Sequence, residues 1–363
     1  MSDNLKIDSH KLDHHPARTA KWLEADDWER TKKVYPIYLE ISPSGICNHR
    51  CIFCSLDFMG YQKKFLDTDI LKRRILEMAK MGVKSIMFAG EGEPLLHRKM
   101  SEITVHAKNV GIDTAFTTNA TPLTEEFCQK TLESISWIKV SINAGKAETY
   151  ARIHRASKKH FNLVLKNIEN AVKIRNDNAY TCTIGAQILL LPENQKETLI
   201  LAKEIKNIGG DYLVIKPHSQ HPKSQTERYK NLVYDSSLDK IENESKKIES
   251  QNFKVIVRKH TAVKLGEDLR SYFLCYSTPF FWAYVTAGGD VYSCSVFLGD
   301  ERFLLGNIYT KSFQEIWEGE KRKENWKLMQ EFDVSNCRKN CRMDECNRFL
   351  HNLKNPPPHV NFI

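Results

Sequence analysis

Short β-rich runs alternate with longer amphipathic stretches between residues 35 and 217. The stretches between them repeat apolar residues at helical spacing, as Ile70, Leu71 and Ile75 do within residues 67–81. The predicted strands are YPIYLEI (35–41), VKSIMFAG (83–90), IDTAFTT (112–118), WIKVSIN (137–143), TCTIGAQILLL (181–191) and DYLVIKP (211–217). Alternation of this kind predicts parallel strands joined by right-handed crossovers. We therefore expect an α/β fold, a partial (β/α)6 TIM-like barrel with its chemistry at the C-terminal strand ends.

The pattern changes after Pro217, where a polar, turn-rich segment begins. Further on, residues 282–294 predict a hairpin that turns at Gly288–Gly289–Asp290, and residues 312–330 predict one amphipathic helix. We expect three regions: an N-terminal extension (1–34), a core domain (35–260) and a small C-terminal α+β domain (261–363).

Composition is that of a soluble globular protein, with 41% hydrophobic and 27% charged residues. No apolar run is long enough to span a bilayer, and the polar N-terminus lacks the apolar core of a secretory signal. We therefore expect a cytoplasmic protein without a membrane partner. The net charge of +9 indicates either a solvated basic surface or an anionic substrate, for which the basic segment from Lys321–Arg322–Lys323 to Arg342 is the candidate site. RNA-binding signatures are absent, so a nucleic-acid partner is not expected.

The chain has ten cysteines, which structural disulfides explain poorly in a reducing cytoplasm. Eight of them fall into two groups, at 47–54 and at 275–346, and such grouping indicates metal binding. The remaining two, Cys128 and Cys182, are expected to be small buried hydrophobic residues.

The first group is the run GICNHRCIFC, which places Cys47, Cys51 and Cys54 in a loop after the first predicted strand. Three thiolates on a [4Fe–4S] cluster leave one iron open for a cofactor to chelate. A zinc site with His49 as fourth ligand is an alternative, although the close spacing would strain a tetrahedron. Ferredoxin-type spacing differs from this one and supplies its own fourth cysteine.

The CxxxCxxC motif after the first strand of a βα-repeat chain resembles the radical S-adenosylmethionine superfamily. The resemblance implies a [4Fe–4S] cluster that cleaves S-adenosyl-L-methionine, and a reductase such as flavodoxin or ferredoxin. The cleavage gives a 5′-deoxyadenosyl radical that removes hydrogen from an unactivated carbon.

The same resemblance extends to residues at later strand ends. Gly92, Glu93 and Pro94 resemble the motif that binds the cofactor's amino group, where a carboxylate suits an ammonium. Further positions that the resemblance assigns to the cofactor are Phe53, Thr118, Asn119, Ser141, Asn143, Arg155 and Gln187. Of these, Arg155 would pair with the cofactor's carboxylate, Phe53 would pack near the adenine or shield the cluster, and Gln187 is also a candidate for substrate contact.

The second group resembles the auxiliary-cluster extensions known as SPASM and twitch domains, which carry further [4Fe–4S] clusters. Its five cysteines suffice for one cluster, so the shorter twitch form fits better. The expected ligands are Cys275, Cys294, Cys337 and Cys341, with Cys346 competing for the last place. The auxiliary cluster would accept an electron, anchor the substrate, or only stabilise a thin domain core.

The segment KPHSQHP follows the sixth predicted strand and supplies the candidate catalytic residues Lys216, His218 and His221. A polar connecting loop would explain the same residues. The functional interpretation is recognition of a small polyhydroxylated or phosphate-bearing molecule, with one of the histidines as base.

We therefore expect oxidation (dehydrogenation) or rearrangement of a small carbohydrate-like or nucleotide-sugar substrate. One alternative is a maturase for a ribosomally synthesised peptide, although residues 1–34 are too few for an ordinary leader-binding domain. A second is tRNA modification, supported only by the net charge. A third is a non-enzymatic iron–sulfur electron carrier, which would have no use for Glu93.

Overall fold

The computed structural model describes residues 7, 9–266, 270–335 and 337–362. Its strands are β1 (Tyr38–Ile41), β2 (Ser85–Phe88), β3 (Asp113–Thr118), β4 (Ile135–Ser141), β5 (Thr183–Leu190), β6 (Tyr212–Pro217), β7 (Lys254–Val257), β8 (Trp282–Val285), β9 (Asp290–Tyr292) and β10 (Leu304–Asn307). Its α-helices are α1 (Pro16–Leu23), α2 (Trp28–Thr31), α3 (Thr68–Lys80), α4 (Met100–Asn109), α5 (Glu125–Thr131), α6 (Ala147–His154), α7 (Lys159–Asp177), α8 (Thr198–Asn207), α9 (Ser237–Lys246), α10 (Lys259–Gly266), α11 (Phe313–Trp317), α12 (Glu320–Met329) and α13 (Asp344–Lys354).

All ten strands form one sheet in the order β10-β9-β8-β1-β2-β3-β4-β5-β6-β7. Strands β1 to β7 are parallel, which confirms the predicted partial barrel. Strand β8 pairs in parallel with β1, so that Leu39 lies opposite Ala283. β7 and β8 thus extend the six predicted units on both sides, and the C-terminal hairpin is part of the core sheet. The fully buried sequence of β8, WAYV, suits a parallel strand covered on both faces.

The main hydrophobic core lies between the sheet and the helices that cover it, where Leu71, Ile103 and Val164 are fully buried. Cys128 and Cys182 belong to this core and are 0% and 2% exposed, as predicted. Such burial beside apolar neighbours raises the pKa of both thiols to about 12.

The predicted single helix over residues 312–330 is wrong, because two helices occupy this stretch. Ser312 and Glu315 form a capping box at the start of α11, and Gly319 is the N-cap of α12. A Cβ at Gly319 would lie 2.5 Å from the carbonyl oxygen of Glu315, so the break requires glycine.

The N-terminal segment packs against the C-terminal part of the chain. Leu12 and Trp22 share a buried cluster with Phe280, Phe281 and Leu350. In the part of the chain that the structure describes, no helix has the length and apolar character needed to cross a membrane.

Candidate active site and second cysteine site

The first cysteine loop follows β1 and is fixed by backbone hydrogen bonds to the end of α6. Ile52 N donates to Ile153 O at 2.9 Å, and Arg50 N donates to His154 O at 3.1 Å. Burial raises the pKa of the Cys51 thiol well above its usual value, and the neighbouring Cys54 and Cys47 thiols raise it further. Three thiols that repel one another as thiolates are a donor set that suits an iron–sulfur cluster.

The GEGEP turn after β2 packs directly on the cysteine loop. Glu93 N donates to Ile46 O at 2.8 Å. A Cβ at Gly92 would lie only 2.1 Å from that same oxygen and 2.5 Å from Ser44 O, so only glycine fits there. Pro94 is buried and opens a short 3₁₀ turn. Gly92 therefore allows the GEGEP turn to approach the backbone before Cys47 closely.

The Glu93 carboxylate is buried and joins the end of β3 to this turn. Its Oε1 accepts from Thr118 Oγ1 at 2.5 Å, and its Oε2 accepts from Asn119 N at 2.7 Å. Burial raises the pKa of Glu93 to about 7, against the lowering effect of these hydrogen bonds. Asn119 Nδ2 also donates to Asn48 Oδ1 at 2.8 Å, inside the cysteine motif. Four residues predicted from different strand ends, Cys47, Glu93, Thr118 and Asn119, are thus in one place.

The ends of β4 and β5 supply donors without partners. Ser141 lies opposite Gln187 in the sheet register, and neither side chain has a hydrogen bond within the described residues. Asn143 is fully buried; its Oδ1 accepts from Leu189 N at 2.8 Å, while its Nδ2 has no partner in the described part of the chain. Buried amide donors are costly unless satisfied, so these residues fit a polar cofactor at this end of the barrel.

Phe53 and Arg155 flank the cysteine loop. The Phe53 ring is buried and meets the ring of His154 edge-on, with centroids 5.7 Å apart. Arg155 is exposed at the C-cap of α6, with a left-handed φ of 48°. Its pairing with a cofactor carboxylate stays a prediction.

Two residues beside the thiols, His154 and Tyr61, were missed by the sequence analysis, as was His160 beside His49. His154 Nδ1 lies 3.0 Å from Cys51 Sγ, and its Nε2 lies 2.7 Å from Ile142 O. Tyr61 hydrogen-bonds to Cys54, and His49 Nε2 lies 3.2 Å from His160 Nδ1. No local pattern links residue 154 to residue 51, since the contact depends on how α6 packs. Within the described residues, the ligand atoms of His49, Cys51 and His154 lie close enough to one another to hold a metal ion. Cys47 and Cys54 are not part of this group, so the group does not match a closed zinc site formed by the three motif cysteines and His49.

Four C-terminal thiols line one cavity. They are Cys275, Cys294, Cys337 and Cys341. Burial raises the pKa of Cys294 well above its usual value, and the other three thiols add to the effect. Cys346 instead lines a separate cavity beside Tyr38 and Phe281. Burial, and then the nearby Cys275 thiol, raise the pKa of Cys346 to about 12, so Cys346 stays close to the group although it lines the other cavity.

The loop after β6 connects both cysteine groups. Ser224 Oγ donates to Cys54 O at 3.1 Å, and Lys223 Nζ donates to Leu298 O at 2.8 Å, four residues after Cys294. On the same loop, the carbonyl of Ser219 accepts from Arg338 Nη2 at 2.6 Å. The loop after β6 therefore contacts the first cysteine loop and two segments that adjoin cysteines of the second group.

The two candidate histidines have different surroundings. His221 Nδ1 accepts from Lys223 N at 3.1 Å, its Nε2 lies 3.5 Å from Ser295 O, and its ring stacks on Phe58 at 5.1 Å. For His218, Nε2 lies 3.4 Å from Gln220 Oε1, and no bond to its Nδ1 occurs among the described residues. Burial lowers the pKa of both rings to about 4, so both are neutral at pH 7. His218 is the better placed of the two to accept a proton.

The barrel lumen is cationic. Lys139 on β4 and Lys216 on β6 point inward, where Arg258, Arg338 and Arg342 also act on Lys216. Burial first, and these cations second, lower the pKa of Lys216 well below its usual value and that of Lys139 to about 8. The basic residues of segment 321–342 therefore do not form one anion-binding site. Arg342 faces the lumen, but Arg322 is fully buried and donates to backbone carbonyls, such as Pro279 O at 3.0 Å, so its role is structural.

Comparison with protein families gives two matches. Residues 41–205 match the radical SAM superfamily, and residues 275–347 match the SPASM iron–sulfur cluster-binding domain. Together these domains indicate a [4Fe–4S] cluster that binds S-adenosylmethionine, S-adenosylmethionine itself, and auxiliary iron–sulfur binding.

Among individual proteins, the chain is 26% identical to a tungsten-containing aldehyde ferredoxin oxidoreductase cofactor-modifying protein of Pyrococcus furiosus, over 78% of this chain and 81% of that protein. It is 33% identical to an S-adenosylmethionine-dependent nucleotide dehydratase of Lacinutrix mariniflava, over 30% of this chain and 24% of that protein. A probable GTP 3′,8-cyclase of Thermococcus kodakarensis is 30% identical over 37% of this chain and 43% of its own length. The chain thus spans less than half of the last two relatives.

Solved structures share the fold. SuiB of Streptococcus suis, bound to its precursor peptide SuiA, superposes with a TM-score of 0.63 at 17% identity, over 88% of this chain and 71% of that chain. Native anSMEcpe with bound AdoMet superposes with a TM-score of 0.56 at 20% identity, over 82% of this chain and 85% of that chain. With the cysteine loop, the GEGEP turn and the partial barrel, these findings identify the chain as a member of the radical S-adenosylmethionine superfamily with a C-terminal SPASM domain.

Proposed function

We propose that this protein is a cytoplasmic enzyme that removes a hydrogen atom from a small carbohydrate-like or nucleotide-sugar molecule bound in the barrel lumen, leading to its oxidation or rearrangement. One observation supports this proposal most: the polar lumen residues lie at the same end of one barrel as the thiols of Cys47, Cys51 and Cys54. When bound, the cluster and S-adenosylmethionine supply the 5′-deoxyadenosyl radical.

The chain's own residues would hold these groups in position. We assign Cys47, Cys51 and Cys54 to the first cluster. Contacts to S-adenosylmethionine are assigned to Phe53, Gly92, Glu93, Pro94, Thr118, Asn119, Ser141, Asn143, Arg155 and Gln187. Glu93 supports this role because its carboxylate lies among donors and is buried, where its charge would favour an ammonium partner.

A dehydrogenation also requires a base and an electron acceptor. We assign the base to His218, whose Nδ1 is available, and give His221 a positioning role because both of its nitrogens face partners. A single second cluster on Cys275, Cys294, Cys337 and Cys341 would provide the acceptor, in the manner of a twitch domain. A flavodoxin or ferredoxin would supply electrons to the first cluster.

The test is anaerobic quantification of 5′-deoxyadenosine after the reduced, reconstituted protein is mixed with S-adenosylmethionine and separate metabolite, peptide and tRNA fractions. The proposal predicts stimulation by the metabolite fraction and no product from the Cys47→Ala/Cys51→Ala/Cys54→Ala variant. Glu93→Ala should lower the rate, while Glu133→Ala, at an exposed position, should not. Stimulation only by peptides would favour a peptide maturase, the kind of substrate seen with SuiB, and no cleavage at all would favour an electron carrier.

A further inference from the structure

The inward positions of β4 carry an unusual residue for a parallel strand. Within WIKVSIN, the outward residues Ile138, Val140 and Ile142 are fully buried against the helices, while Trp137, Lys139 and Ser141 face the lumen and are half-buried. A lysine at the middle of such a strand loses much of its hydration, which is costly without a compensating partner.

Neither lumen lysine has such a partner. Within the described residues, the ammonium groups of Lys139 and Lys216 make no hydrogen bond and no ion pair; the Trp137 ring, 5.7 Å from Lys139 Nζ, is the contact that the structure gives. The electrostatic neighbours of Lys139 are mostly cations, since Arg342 and Arg258 disfavour its charge and Glu40 favours it. Two lysine amines are thus held near other cations, with no counter-ion among the residues that the structure describes.

The single carboxylate among these neighbours is already engaged. Arg342 Nη2 lies 2.7 Å from Glu40 Oε2, and Arg342 Nη1 donates to Tyr38 Oη at 3.2 Å. The Arg342 side chain is nevertheless 39% exposed, so Glu40 and Tyr38 do not enclose it fully. After this pairing, three basic side chains around the lumen, Lys139, Lys216 and Arg338, have no carboxylate partner among the described residues.

We infer that the substrate carries a phosphate or pyrophosphate group, which binds between Lys139 and Lys216 with Arg342 at the edge of the site. This inference rests on the proposed function, because it places the anionic group in the same lumen. A phosphate monoester carries a charge of about −1.5 to −2 at pH 7, which suits several unpaired basic side chains better than one carboxylate does. Arginine and lysine are also the side chains that recognise phosphoryl oxygens most effectively.

The anion would restore the charge of both lysines, because an opposite charge at close range favours the protonated form. It would also orient the rest of the molecule. Lys139 is two residues before Ser141 on the same face of β4, and Lys216 is two residues before His218. A group anchored on the lysines therefore leaves the remainder of the substrate near the strand ends and the first cysteine loop.

The experiment is anaerobic calorimetric titration of the reconstituted full chain with inorganic pyrophosphate, inorganic phosphate and acetate. We expect pyrophosphate to bind, and Lys139→Gln and Lys216→Gln each to weaken binding about tenfold or more. Lys166→Gln, on the exposed face of α7, is the matched control and should bind as the wild type does. Lys139→Met provides a second variant that removes the charge while remaining compatible with a packed position.

Pyrophosphate binding that is absent, or equal in all variants, would overturn the inference, as would acetate binding more tightly than phosphate. The proposed function can fail separately. If pyrophosphate does not bind but a neutral metabolite stimulates 5′-deoxyadenosine formation, only the anionic substrate is wrong. If the lysine variants behave as expected but no metabolite supports cleavage, the proposed function is wrong and the anion site stands.

Discussion

Arg342 and Glu40 form an ion pair, with Nη2 and Oε2 2.7 Å apart. Arg342 follows Cys341 of the second cysteine group, and Glu40 lies on β1, which leads into the first cysteine loop. The pair therefore joins the segments that carry the two groups, across the lumen in which we place the substrate.

Removing one partner should destabilise the fold, because Glu40 is only 6% exposed and would keep an unpaired charge. We expect Arg342→Met to lower the free energy of unfolding by about 1–3 kcal/mol, between the values for exposed and buried pairs. Anaerobic urea denaturation measures the effect. The double variant Glu40→Gln/Arg342→Met should recover most of it, and Arg30→Met, which breaks an exposed pair with Asp26, is the control. Equal losses of unfolding free energy in Arg342→Met and in the control Arg30→Met would argue that the Arg342–Glu40 pair is not buried.

Gly92→Ala should disrupt the first cluster site. The new Cβ would lie 2.1 Å from the Ile46 carbonyl oxygen, so the cysteine loop must move. We expect loss of the iron bound by that loop and loss of S-adenosylmethionine cleavage, with the far-ultraviolet circular dichroism unchanged. Gly266→Ala, where a Cβ meets nothing within 4 Å, should retain both properties. A Gly92→Ala protein with full iron content would contradict the tight packing.

The four-thiol cavity predicts which cysteines bind the second cluster. Cys341→Ser should lose the iron of that cluster, whereas Cys346→Ser should keep it, because Cys346 lines a different cavity. Iron analysis together with electron paramagnetic resonance separates the two clusters. Loss of the second cluster from Cys346→Ser alone would reverse the ligand assignment.

Glu91 should make stability depend on pH. Its Oε1 accepts from Ala287 N at 3.0 Å, and burial raises its pKa to about 7, opposed by this bond and by Lys64 and supported by Asp290. A carboxyl with a raised pKa in the folded state binds its proton more tightly there than in the unfolded chain. The free energy of unfolding therefore falls as the pH rises from the carboxyl's pKa in the unfolded chain toward 7. Glu91→Gln should remove up to about 3 kcal/mol of this dependence, measured by urea denaturation between pH 5 and pH 8. An unchanged slope would show that Glu91 is ionised throughout.

The sequence predicted the barrel and the clustering of Cys47, Glu93 and Asn119, because parallel strands bring their C-terminal ends to one edge. It did not predict the pairing of β8 with β1, since nothing in WAYV specifies a neighbour so distant in the chain. His154 was missed for the same reason. Lys139 had a detectable signal, the alternation within WIKVSIN, but only the folded sheet shows that Lys139 lies close enough to act electrostatically on Lys216.

Isotope transfer is the decisive measurement of whether this enzyme takes hydrogen from an anionic small molecule. The reduced protein would be incubated with S-adenosylmethionine and a deuterated metabolite pool, separated by anion exchange into phosphorylated and neutral fractions. We expect 5′-deoxyadenosine to gain deuterium with the phosphorylated fraction, and the triple-cysteine variant to form no 5′-deoxyadenosine. Deuterium gained only from the neutral fraction, or only from deuterated peptides, would show that the substrate is not an anionic small molecule.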